Sequence, residues 1–190
     1  MTSTDLRDPE TIREIYSRYG RGIFNYALRL VGDYQWAEEI LQETFLRAYS
    51  RAETFRKGAR VSTWLYRIAM NLCYDHLRSP RNRPKVSLSD TVGGDDGGEA
   101  LSERMEADGG TPDVLAVEGE TARLVREAID ELPDREKNVL VLRHYQGLKF
   151  REISDITGLT SRTVQNCLRR AREKLARSLS RKGVKAGLTG

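Results

Sequence analysis

Apolar residues in this chain recur every three or four positions, and no run alternates apolar with polar as a half-buried strand would. Ile12, Ile15, Tyr16 and Tyr19 predict a first helix with Pro9 near its start. Phe24, Ala27, Leu28 and Val31 predict a second that stops at Gly32. Trp36, Ala37, Ile40, Leu41, Thr44, Phe45, Ala48 and Tyr49 predict a longer third. The fourth carries Val61, Trp64, Leu65, Ile68, Ala69, Leu72, Cys73 and Leu77, with Trp64 in the core, and must end before Pro80. Periodicity then lapses and resumes with Val117, Leu124, Val125, Ala128, Ile129 and Leu132. Pro133 separates that helix from one carrying Val139, Leu140 and Leu142. The fold class is all-α.

Two short helices follow with a distinctive junction. Phe150, Ile153 and Ile156 share one face, and Gly158 sits where a tight turn needs positive φ. Thr160 or Ser161 can cap the next helix, whose apolar positions are Val164, Leu168, Ala171 and Leu175. Ser161, Arg162, Gln165, Asn166 and Arg169 are left on the outer face. Asparagine and glutamine pair with adenine edges in a major groove, and arginine with guanine or phosphate. A helical hairpin with a solvated polar face is the bland alternative. Charge weighs against it: residues 160–182 hold eight Arg or Lys against one acid, Glu173. The pattern is a helix-turn-helix that reads DNA.

At 190 residues the chain can form one large or two small domains, and its net charge of +4 matters less than where the charge lies. Between Asp90 and Glu118 there are nine acids and one base, Arg104, among paired glycines; such a stretch cannot bury enough apolar area to order itself. The expected organisation is therefore a helical bundle over residues 1–80, a flexible acidic linker over 81–115, a helix-turn-helix domain over 116–180 and a disordered basic tail over 181–190. Cys73 and Cys167 have no spacing that suggests a disulfide scaffold or zinc ribbon. Cys73 with His76 is too few ligands for a closed metal site. No metal, cofactor or catalytic residue is expected, because no phosphate-binding glycine run, nucleophile elbow or carboxylate cluster is present. With no apolar run near ~20 residues, no membrane insertion is expected, and a reducing, cytoplasmic setting follows.

Several segments, taken together, resemble bacterial RNA polymerase sigma factors of the extracytoplasmic-function group, which have two domains, sigma-two and sigma-four. In the first domain these are Ala37 to Ala48, Phe55-Arg56, Trp64 to Asn71 and Asp75-His76-Leu77-Arg78. In the second they are Leu132-Pro133, Arg135, Glu152-Ile153, Thr163-Val164 and Arg170-Ala171-Arg172. The order and spacing across the chain carry the resemblance; each piece alone is weak.

The resemblance implies a subunit that binds core RNA polymerase and promoter DNA, with an anti-sigma factor as a further partner. Asp33, Glu38, Glu39, Gln42 and Glu43 would face the polymerase, and Phe55, Asn71, Arg67 and Arg78 the opened minus-ten element. Chemically, an aromatic ring can stack on an unstacked base while an amide reads its edge. Gln165, Asn166 and Arg169 would read upstream bases, and Arg162, Thr163, Arg170 and Arg143 would hold phosphates. The acidic linker would run through a basic polymerase channel. Trp36 and Cys167 depart from the family pattern, where an acid and a base respectively are common. Two other readings stay open on the sequence: a helix-turn-helix repressor that dimerises on a palindromic operator, and a metal-dependent nuclease or transferase built on Cys73 and His76.

Overall fold

The computed structural model describes residues 6–55, 58–79 and 119–184. The acidic linker, Arg56, Lys57 and the tail beyond Val184 lie outside the described residues. Among those described, seven α-helices and one 3-10 turn form, with no strand: α1 (Pro9–Val31), α2 (Tyr34–Ser50), α3 (Val61–Arg78), α4 (Gly119–Asp130), α5 (Asp134–His144), α6 (Phe150–Thr157) and α7 (Ser161–Arg181).

One expectation is corrected at the start. The first two predicted helices are a single helix of 23 residues, α1, running unbroken through Gly20 and Gly22. Each glycine costs about 1 kcal/mol against alanine in a helix interior. The offset comes from packing. Gly20 is buried, and a Cβ on Gly22 would lie 2.8 Å from Tyr66 Oη and 3.4 Å from Gln146 Oε1. Gly22 admits a neighbour rather than ending the helix. Asp8 caps α1 by accepting a hydrogen bond from the Thr11 N–H at 3.0 Å, and Gly32 ends it in the left-handed conformation at φ 76°.

Residues 1–83 and 132–174 form one compact unit. Its first part is a three-helix bundle whose interior holds Ile23, Tyr26, Ala27, Ala37, Ile40, Phe45, Leu65, Ala69 and Cys73. Full burial of such a side chain stabilises by ~1.5–3 kcal/mol, which is what holds α1, α2 and α3 together. Tyr16 meets Phe45 edge-on at 4.9 Å between ring centres, and Tyr26 meets Tyr66 at 5.4 Å. The buried Thr44 hydroxyl donates back to the Ile40 carbonyl at 2.6 Å, leaving no orphaned donor. As predicted, α3 stops at Arg78, before Pro80.

The second part of this unit centres on α5, which is enclosed more completely than its sequence suggests. Val139, Val141 and Leu142 are fully buried, and the polar Asn138, Glu136 and Lys137 are largely buried beside them, at 2%, 8% and 8% exposure. Asn138 accepts from Tyr26 Oη at 2.8 Å and donates to Tyr74 Oη at 3.0 Å. Lys137 Nζ donates to the Leu30 carbonyl at 3.1 Å, and Lys174 Nζ lies 2.7 Å from Glu136 Oε2. Burial without partners would cost several kcal/mol for each charge, so these bonds are what make α5 tolerable inside.

A second unit comprises residues 84–131 and 175–190. Among its described residues, Ala128, Ile129 and Leu179 are buried, and a polar cluster joins α4 to the end of α7. Ser178 Oγ donates to Glu131 Oε2 at 2.6 Å, and Lys182 Nζ reaches Glu127 Oε2 at 2.9 Å and Glu131 Oε1 at 3.1 Å. The Lys182 hydrogen bond holds the Glu127 carboxyl below its ordinary value of 4.5, and the Ser178 and Lys182 hydrogen bonds do the same for Glu131. A depressed folded-state pKa contributes stability that is present above pH 4.5 and lost as pH falls through the folded value. Amide protection factors in α4, taken relative to the intrinsic exchange rate at each pH, are therefore expected to fall between pH 5 and pH 3, and less so in Glu131→Gln. Identical profiles for the two proteins would remove this cluster's role.

Candidate nucleic-acid interface

The helix-turn-helix forms because each of its chain ends is satisfied locally. Glu152 Oε2 accepts from the Lys149 N–H at 2.8 Å at the start of α6. Gly158 closes α6 at φ 71°, with its N–H bonded to the Ser154 carbonyl at 2.9 Å. Thr160 Oγ1 then accepts from the Thr163 N–H at 3.2 Å and caps α7. Ile153 and Ile156 of α6 and Val164, Leu168 and Ala171 of α7 are all buried. The turn depends on glycine, because a side chain at positive φ costs ~1–2 kcal/mol. Gly158→Ala is expected to lower stability by about that amount, measured as a shift of the urea midpoint at constant slope.

This scaffold leaves Ser161, Arg162, Gln165, Asn166 and Arg169 exposed along α7, as the periodicity predicts; Arg170 is exposed as well, and Thr163 is half-buried. Arg169 is bridged to Glu173 at 2.5 Å, and an Arg172 guanidinium nitrogen lies 3.2 Å from His144 Nε2. Partial burial, then Arg172 and Arg143, push His144 below its ordinary 6.5 and favour the neutral ring at neutral pH. Cys167 is buried, so its thiol belongs to the inner face of α7. Arg143 stands apart from the α7 set. It is half-buried, donates to the Leu148 carbonyl at 2.9 Å and lies 5.0 Å over the Phe150 ring, which staples the loop between α5 and α6.

On the bundle, Phe55 follows a 3-10 turn (Ala52–Thr54) and is half-buried, with its ring centre 5.2 Å from Trp64. Trp64 is itself only half-buried, so it lies at the core's margin and supports Phe55 from one side. On α3, Asn71 and Arg78 are exposed, and Arg78 lies 5.8 Å from the Tyr74 ring. Arg67 donates to the Asp155 carbonyl of α6, and Arg60 pairs with Glu152.

The acidic set on α2 divides by role. Asp33 is the N-cap, accepting from the Trp36 N–H at 2.9 Å. Glu39 and Gln42 are exposed, Glu38 is half-buried, and Glu43 is bridged to Arg47 at 2.6 Å. Trp36 lies 39% exposed with its ring centre 4.2 Å from that of His76. It stays at the surface, continuous with the acids. Burial pushes His76 below 6.5 against the opposing pull of Asp33 and Glu39. Burial also pushes the Cys73 thiol up to about 12, so it is a neutral core group at physiological pH.

Sequence reasoning missed Asn138, Lys137, Tyr66 and Gln146. Gln146 Oε1 accepts from Tyr66 Oη at 2.7 Å, across 80 residues of sequence. No local pattern announces such a pairing.

Comparison with known proteins matches residues 15–83 to the family model Sigma-70 region 2 and residues 122–175 to Sigma-70, region 4. The chain is 34% identical over 172 residues to the ECF RNA polymerase sigma factor SigW of Bacillus subtilis, covering 90% of each. It is 30% identical over 162 residues to the RNA polymerase sigma-H factor of Pseudomonas aeruginosa, covering 85% of this chain and 82% of that one. Among solved structures, the sigma factor RpoE of Bartonella quintana, in complex with the anti-sigma factor NepR, shares the fold. Its TM-score is 0.64 at 19% identity, covering 88% of this chain and 96% of that one. CnrH, solved with the cytosolic domain of CnrY, does so at TM-score 0.65 and 20% identity, covering 92% and 90%.

Proposed function

We propose that this chain, which belongs to the extracytoplasmic-function group of RNA polymerase sigma factors, reads a promoter with α7 and opens it with α3. As a sigma factor it binds core RNA polymerase and directs transcription initiation at specific promoters; it is not an enzyme. The observation that carries the assignment of roles is the α7 surface, where a capped, rigidly packed helix exposes two amides among arginines. Gln165, Asn166 and Arg169 read upstream bases, while Arg162, Thr163 and Arg170 hold phosphates. Arg143 contributes through the N–H groups its loop contact leaves over.

Phe55, backed by Trp64, offers a ring on which an unstacked base of the minus-ten element can lie. Asn71 reads that strand, and Arg67 and Arg78 meet its phosphates. Glu38, Glu39, Gln42 and Glu43, with Asp33 at the helix start, form the polymerase-facing surface of α2. Each domain grips too few base pairs to hold a promoter alone, and attachment to polymerase raises the effective concentration of the second contact. The setting is cytoplasmic, in keeping with the absence of any helix among the described residues long and apolar enough to cross a membrane. An anti-sigma factor is a further partner, as for the RpoE relative. Mixing the chain with core polymerase on genomic DNA and sequencing the 5′ ends of the transcripts tests the function. A common upstream motif is expected; end positions indistinguishable from core polymerase alone would overturn it.

Asp33 separates capping from docking. Asp33→Ala should lower stability by ~1 kcal/mol and weaken polymerase binding, whereas Asp33→Asn keeps the cap. Asp33→Asn that melts normally and also binds polymerase normally would confine Asp33 to capping.

A further inference from the structure

Helix α5 ends on His144, and the imidazole meets the recognition helix. An Arg172 guanidinium nitrogen lies 3.2 Å from His144 Nε2. A guanidinium can only donate, so Nε2 accepts and the ring proton sits on Nδ1. Both residues are exposed, which leaves the contact open to a ligand. Gln165, Arg169 and Arg172 are spaced four and three residues apart on α7 and so share one face. Arg172 therefore extends the base-reading row by one turn. The first turns of a recognition helix meet base edges, and positions further along pass the phosphate rail. His144 stands at that end of the row.

Charge points to what the pair can hold. Among the described residues, the charges that act on His144 are Arg172 from α7 and Arg143 from its own helix, both positive. Glu173, the one acid in residues 160–182, is bridged to Arg169 instead. Partial burial, then these two cations, keep the ring neutral at neutral pH in the free chain. A phosphate oxygen set between Arg172 and the ring would reverse that balance, because a nearby negative charge favours the protonated imidazole. The helix end assists, since the C-terminus of α5 favours a positive charge on its last residue.

We propose that His144 and Arg172 form a phosphate-binding pair at the far end of the upstream contact, and that the imidazole takes up a proton from solvent as the phosphate binds. This pairing deepens the upstream-reading role given to α7 and rests on it. In the free chain Nε2 accepts from Arg172. In the bound state Nε2–H and the Arg172 guanidinium both donate to phosphate oxygens, while Nδ1 keeps its proton. Proton uptake ties affinity to pH with a definite sign. The ring holds its proton to higher pH when bound than when free, so binding tightens as pH falls through the region near 6.5. That gain is lost as pH rises through the bound value. A contact that merely ties α5 to α7 predicts the reverse, because protonation would break the tie and loosen the reading helix.

Holoenzyme carrying the full chain, wild type or His144→Gln, is titrated onto a duplex bearing its upstream element at fixed ionic strength. Glutamine keeps an acceptor for Arg172 but cannot take up the proton. Polymerase contributes the same pH dependence to both proteins, and so does His76, the chain's other histidine, which lies beside Trp36 on α3. The ratio of wild-type to variant affinity is therefore the readout. It is expected to rise about fivefold from pH 7.5 to pH 5.5. A constant ratio with sequence-selective binding overturns the pair alone, and a ratio that falls on acidification assigns His144 to holding α5 against α7. Arg172→Ala should weaken binding at both pH values and lower the salt slope by about one ion. An unchanged slope also overturns the pair. Failure of either holoenzyme to select the upstream element at any pH overturns the reading of α7, and the pair with it.

Discussion

Holoenzyme assembled with an Asn166→Ala variant is expected to lose discrimination at a single upstream base pair, by ~1–3 kcal/mol, while its affinity for unrelated DNA stays unchanged. Asn166 is exposed one turn into a capped helix, and its amide can bond two groups on the major-groove edge of one adenine together. Truncation leaves that edge unread but removes no charge. Arg170 is exposed on the same helix with a different chemistry. Arg170→Ala should weaken binding to every promoter alike and reduce the salt slope by about one ion. Binding measured across a panel of single-substituted promoters at several salt concentrations separates the two outcomes. If both variants weaken all sites uniformly, α7 does not read bases through Asn166.

The second large effect lies beneath the reading surface. Ile153 is fully buried on the inner face of α6, and Ile153→Ala should cost ~2–5 kcal/mol through lost transfer energy and the cavity left behind. A loss of that size is a large fraction of a small domain's stability. The upstream contact should disappear at temperatures where the wild type still protects it. Polymerase binding through α2 should persist, because Ala37, Ile40 and Phe45 anchor that helix in the bundle without Ile153. Footprinting the upstream element and titrating polymerase on the same variant decides the matter. Simultaneous loss of both activities would mean that the bundle cannot stand without α6.

The helix-turn-helix was readable from sequence because every device that builds it is local. Gly158 at the turn, Thr160 at the cap and the spacing of Val164, Leu168 and Ala171 each act over about one helical turn of neighbouring sequence. The end of α3 was readable for the same reason, since Pro80 acts on its immediate neighbours. The continuity of α1 was not readable at Gly22, because a glycine needed for close approach looks the same in a sequence as one that interrupts a helix, and only the position of Tyr66, 44 residues further along, tells them apart. Asn138 and Lys137 read as solvated positions beside an apolar run, yet their partners are Tyr26 and Leu30. Pairings across more than 100 residues are set by tertiary packing, which helical periodicity does not encode. Arg143 was drawn toward DNA by its charge, whereas the loop geometry at Leu148 engages it first.

Both cysteine thiols are sealed in the interior, Cys73 in the bundle and Cys167 beneath the recognition helix. With the Cys73 thiol raised to about 12, only ~0.001% of it is the reactive thiolate at neutral pH. Disulfide-forming reagents consequently have little to attack while the protein is folded. Thiol chemistry at either cysteine requires the fold to open first, so it reports unfolding rather than a redox signal received by the native protein.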